Sequence, residues 1–123
     1  MRTVQSIDDL NLPYRHKGFL NHFLAHVSEI KEITKVILFG SCASGQIEPD
    51  SDIDLLVLTE HPIPIDTEFH IMSNCPPAYD EKFYLSSDII VDFVGNYNRF
   101  KDVSGMVQKA IEREGVDLSG LIR

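Results

Sequence analysis

Residues 38–57 read LFGSCASGQIEPDSDIDLLV. An apolar run ends in Gly40-Ser41, a polar stretch with Gly45 and Pro49 follows, and a second apolar run opens with Asp52 and Asp54. The run VILFG is short, rich in β-branched residues and stopped by glycine, which predicts a buried strand. Ile53 to Leu58 predicts a second strand, closed by His61-Pro62-Ile63-Pro64. Between them lies a loop with one helical turn at Ser41 to Ser44.

Side chains alternate across a strand, so Asp52 and Asp54 share a face while Ile53 and Leu55 take the other. Two carboxylates so placed repel each other unless a cation joins them. The natural partner is Mg²⁺, commonly held by one or two carboxylates together with substrate phosphates. Asp92 is the expected third ligand. It is the only charged residue in the run Ile89 to Val94, and a lone carboxylate among Ile, Val and Phe is costly without a partner. If its strand lies beside Ile53 to Leu58, three carboxylates can serve two metal ions in an in-line displacement. Asp88 reads as a solvated residue at the start of that strand. Gly40 and Ser41 supply the phosphate side, through free backbone amides of a glycine turn and a serine hydroxyl. Ser51, just before the acidic pair, either caps the turn or touches a phosphate.

Working outward, residues 14–33 place Phe19, Leu20, Phe23, Leu24, Val27 and Ile30 at helical steps, an amphipathic helix. His22 and His26 lie four apart on it, a spacing open to a metal, but no third ligand is in view. Asp66 is expected to cap a short helix through about Met72, with a break at Asn74-Cys75-Pro76-Pro77 and an extended run over Asp80 to Leu85. Asp88 to Val94 is the third strand. A second amphipathic helix is expected from Asn98 or Arg99 to Glu114, carrying Phe100, Val103, Val107, Ala110 and Ile111 on one face and ending at Gly115.

A chain of 123 residues holds one domain with a single core. Its 43% hydrophobic and 24% charged content is that of a globular protein that folds without staples. Cys42 and Cys75 sit in unlike contexts and read as free thiols. A formal net charge of −8, with dispersed Lys and Arg, argues against a polynucleotide template but not against a nucleotide held through metal ions. The N-terminal residues lack an apolar signal-peptide core and no long apolar run occurs, so a cytoplasmic location is expected and no membrane partner.

Gly40-Ser41, ten intervening residues, Asp52-x-Asp54 in an apolar strand and an isolated Asp92 on a later strand together resemble the signature of the nucleotidyltransferase superfamily that includes DNA polymerase beta and kanamycin nucleotidyltransferase. The compact size is similar to that of the minimal nucleotidyltransferases, often the antitoxin half of a two-gene module with an all-helical HEPN-domain toxin. The resemblance implies an α/β fold, a small mixed sheet with helices on one face. It implies ATP as substrate, with Gly40 and Ser41 at its β- and γ-phosphates, two Mg²⁺ ions on Asp52 and Asp54, and Asp92 near the acceptor hydroxyl. AMP would pass to a hydroxyl of a partner, either a HEPN toxin or a second copy of the chain. A non-catalytic antitoxin that masks its partner and a small-molecule adenylyltransferase are the alternatives. Many relatives carry a basic residue just before the glycine that corresponds to Gly45, where this chain has Ser44.

Overall fold

The computed structural model describes residues 1–73 and 85–122. Five strands, β1 (Arg2–Thr3), β2 (Ile33–Phe39), β3 (Ile53–Thr59), β4 (Ser87–Phe93) and β5 (Val116–Asp117), form one sheet in the order β1-β5-β2-β3-β4. β3 runs antiparallel to β2 and parallel to β4. Among the described residues five α-helices accompany them: α1 (Tyr14–Val27), α2 (Ser41–Ser44), α3 (Ile65–Met72), α4 (Val94–Phe100) and α5 (Val107–Glu114). The expected break at 74–77 and most of the extended run at 80–85 lie outside the described residues, as does Cys75.

Alternation along the central strands sorts their apolar side chains into two layers. Val36, Leu38, Ile53, Leu55 and Val57 face α1, whose Phe19, Leu20, Phe23, Leu24 and Val27 are buried against them. Each such side chain contributes roughly 1.5–3 kcal/mol by leaving water. Ile37, Leu56 and Leu58 point the opposite way and meet Tyr97 of α4 and Ile111 of α5. The mixed α/β sheet is the one expected, but helices occupy both faces rather than one. The cause is in the strands, which read as nearly continuous apolar runs and so require cover on each side.

Two expected helices are shorter than their periodicity. α1 ends at Val27, where the Ser28 hydroxyl donates to the Leu24 carbonyl at 2.7 Å and the chain turns into β2. The single helix expected up to Glu114 is instead two, α4 and α5, joined across Gly105 with φ +86°. A continuous helix would hold Tyr97 and Ile111 about 21 Å apart along its axis. The fold-back lets both cover the same patch of β2 and β3, and the Tyr97 hydroxyl donates to the Glu112 carboxylate across the pair. Burial first, then that carboxylate, hold the Tyr97 hydroxyl well above its usual pKa.

No helix among the described residues is long and apolar enough to cross a membrane.

A Cβ added at Gly105 would meet nothing within 4 Å, so Gly105→Ala isolates the backbone cost of the positive φ. Urea unfolding should show a loss of about 1–2 kcal/mol, with the Gly40–Asp54 turn unchanged.

Candidate functional site

The site begins where β2 stops. Phe39 pairs with Asp54 across the antiparallel ladder, and the next residue, Gly40, turns with φ +71° and ψ −152°, a conformation essentially confined to glycine. A Cβ at Gly40 would stand 2.2 Å from Asp54 Oδ2. Glycine is therefore required twice, for the turn and for the carboxylate seated against it. From that turn α2 starts. The amides of Ala43 and Ser44 donate to the Gly40 carbonyl, whereas those of Ser41 and Cys42, in the leading turn, have no acceptor within the helix. Gly45 ends α2 with φ +85°. Ser44 is exposed, and its hydroxyl donates to the Ser41 carbonyl at 3.3 Å. A guanidinium does reach this helix from β1: Arg2 Nη2 donates to the Ala43 carbonyl at 3.4 Å.

Asp54 lies between Phe39 of β2 and Asp88 of β4, its partners in the two ladders. Paired residues of neighbouring strands project to the same face, so the Asp54 and Asp88 carboxylates stand side by side. Burial, then Asp88, then Asp52 raise the pKa of Asp54 above the usual carboxylate value. The same field reaches Cys42, a buried free thiol pushed up to about 11 by burial and then by Asp54 and Asp52.

Asp52 is one residue outside the β3 ladder and exposed. Its carbonyl accepts from Cys42 Sγ at 3.4 Å, and the carbonyl of Ser51 lies 2.8 Å from His16 Nε2. Ser51 has the capping geometry. Its hydroxyl accepts from the Glu48 amide at 2.8 Å while its own amide donates to the Glu48 carbonyl at 3.0 Å, so the side chain fastens the turn before Asp52.

Asp92 falls elsewhere. β4 does lie beside β3, but the register puts Asp92 opposite Leu58, four residues beyond Asp54, or about 13 Å along the strand. Its carboxylate accepts from the Phe93 amide at 2.9 Å and from Asn96 Nδ2 at 3.0 and 2.9 Å, tying down the start of α4. The structure thus brings together Gly40, Ser41, Asp52 and Asp54, does not bring Asp92 to them, and adds Asp88. The signal that could have found Asp88 is its face: residues 88 and 92 share one, and only register decides between them.

His22 and His26 do acquire a neighbour, since the His70 ring from α3 lies 4.7 Å from that of His26. Burial, then His70, lower the His26 pKa. Among the described residues, however, no group of three His, Cys, Asp or Glu side chains stands ready to hold a metal ion. Asp52, Asp54 and Asp88 are accordingly not a closed cage. What they fit is a hard cation bound jointly with substrate oxygens, because burial and the neighbouring Asp88 and Asp52 already raise the affinity of the Asp54 carboxylate for positive charge.

A family model described as "Polymerase beta, Nucleotidyltransferase" matches residues 21–94, more than half of the chain. The matched span contains Gly40, Ser41, Asp52, Asp54 and Asp88. No curated protein matches the chain.

The raised pKa of Asp54 carries a sign for stability. The folded protein holds this proton more tightly than the unfolded chain, so the stability it contributes is present at low pH and lost as pH rises through the raised pKa. Without divalent metal at neutral pH, Asp54→Asn should melt a few degrees above wild type, an advantage that shrinks on acidification. Gly40→Ala should instead cost about 1–3 kcal/mol from backbone conformation alone, before the clash with Asp54 is added; thermal melts of both variants decide.

Proposed function

Since this chain belongs to the polymerase beta nucleotidyltransferase family, whose general chemistry is nucleotidyl transfer, we propose that it moves AMP from ATP to a hydroxyl of a partner protein in a Mg²⁺-dependent reaction. One observation supports the reading: the Asp54 carboxylate rests against the Gly40 turn with Asp88 beside it, so a glycine turn with free leading amides and two carboxylates stand together, as a metal–triphosphate would require.

The backbone at Gly40 and Ser41, with the Ser41 hydroxyl, holds the β- and γ-phosphates. Asp52 and Asp54 hold the metal and Asp88 faces the acceptor. Bound Mg²⁺ supplies charge neutralisation for the triphosphate and acidifies the attacking hydroxyl. Asp88 is exposed and takes the acceptor proton as the acceptor oxygen bonds to the α-phosphorus. The bond from that phosphorus to the β-phosphate oxygen breaks, and pyrophosphate leaves with its electron pair. Positioning in the turn and electrostatics on the sheet face account for the rate enhancement.

The partner is a HEPN-domain toxin, or else a second copy of this chain. Support comes from an apolar stripe on α3, where Ile65, Phe69 and Met72 are 66%, 61% and 40% exposed. Surface of this kind marks protein contact rather than a polyanion, and the net charge of −8 points the same way.

Incubation with Mg²⁺ and α-labelled ATP, with and without the product of the neighbouring gene, followed by intact mass analysis of both chains, tests the proposal. The expected outcome is one or more AMP units on the partner, absent when Asp52→Asn and Asp54→Asn are combined. A tight complex that silences the partner equally well in the double mutant would instead make this a masking protein.

A further inference from the structure

His16 is buried beside the acidic site and takes no part in the transfer chemistry. It sits in the first turns of α1, on the stripe continued by Phe19, Leu20 and Phe23, and its exposure is 0%. An apolar side chain there would bury no polar atom. The imidazole buries two. Nε2 meets the Ser51 carbonyl at 2.8 Å, while Nδ1 is buried with no hydrogen-bond partner among the described residues. A carbonyl only accepts, so Nε2 carries the proton and Nδ1 is the bare nitrogen. An orphaned buried nitrogen costs about 1–3 kcal/mol, so a histidine is a poorer core residue than leucine at this position.

What the hydrogen bond secures is a particular peptide group. The Ser51 carbonyl belongs to the peptide that leads into Asp52, and its orientation sets the direction in which Asp52 leaves the backbone. Asp54 needs no such help, being held by ladders on both sides. Asp52 lies outside the ladder, which resumes with the Ile53 amide donating to the Ser86 carbonyl at 3.0 Å. Two side chains from the helices grip the intervening backbone: His16 on the Ser51 carbonyl and Cys42 on the Asp52 carbonyl.

Resting on the nucleotidyl-transfer reading above, we propose that His16 is a positioning residue. Through its Nε2–H bond to the Ser51 carbonyl it aims the Asp52 carboxylate at the metal–triphosphate held against Gly40 and Asp54. It touches neither substrate nor metal.

Glutamine and methionine separate this role from packing. Both are unbranched, of similar length, and lose the imidazole equally, but only glutamine can donate to the Ser51 carbonyl. Calorimetric titration with Mg²⁺–ATP, alongside thermal melts, should find His16→Met weakened roughly 10- to 100-fold, the range seen when a partner of a metal ligand is removed. His16→Gln should stay near wild type, and the two melts should agree. His16→Phe, which keeps a planar ring without nitrogens, gives a second donor-less variant should the methionine protein not fold. Equal affinity in wild type and the donor-less variants overturns the proposal, as does a parallel loss in His16→Gln and His16→Met that follows their melting temperatures. Failure of the wild type to bind Mg²⁺–ATP in a manner dependent on Asp52 and Asp54 would remove the transfer reading itself, a result distinct from either.

Discussion

The contact between the Asp54 carboxylate and the backbone at Gly40 is the constraint around which the rest is arranged. It exists because β2 and β3 pair with Phe39 opposite Asp54 and with no residue to spare before the turn. A slip of one residue would carry every side chain of β3 to the other face and turn Asp54 toward α1. Two hydrophobic layers prevent it. Ile53, Leu55 and Val57 are committed to the α1 side, Leu56 and Leu58 to the α4 and α5 side, and any slip would expose one set while burying a charge in the other. The apolar residues of β3 are thus the reason its one acidic residue points at the turn.

That placement is electrostatically unfavourable in the free protein. Asp54 is partly desolvated and has Asp88 and Asp52 as neighbours; burial first, and then those two carboxylates, raise its pKa. The folded chain tolerates this because the cost is local while the cores on both faces are extensive. Local conflict of this kind, set within otherwise consistent packing, is expected at a functional site. A cation brought by a polyphosphate, as proposed for this site, would convert the repulsion into binding free energy.

The sequence made some of this legible and left the rest out of reach for definable reasons. Strand alternation placed Asp52 and Asp54 on one face, and glycine followed by serine after an apolar run located the turn, because both signals are local in the chain. Choosing between Asp88 and Asp92 required the register of a parallel pair joined through more than two dozen residues, and periodicity cannot supply a register. Asp92 was the more conspicuous residue, since apolar neighbours flank it on both sides. Its half-buried carboxylate is engaged by Asn96 and the Phe93 amide, at a distance along the strand from Asp54. The division of α4 from α5 is hidden in the sequence for a similar reason. Val103, Val107 and Ile111 keep a helical step through the Gly105 corner, and only the need for Tyr97 and Ile111 to share one patch of sheet reveals the fold-back.

Asp52 and Asp54, alike in sequence, are held by different physics. Backbone pairing fixes Asp54 from both sides, and its position can change only if the central strands part. Asp52 depends on single hydrogen bonds from side chains whose own placement comes from α1 and α2 packing. The site is therefore rigid at one carboxylate and adjustable at the other. A hydrogen bond from a core helix is a modest interaction, worth about 0.5–1.5 kcal/mol net, yet it fixes the peptide from which Asp52 departs. Anything that shifts α1 against the sheet acts on Asp52 first, leaving Asp54, Asp88 and the Gly40 turn in place.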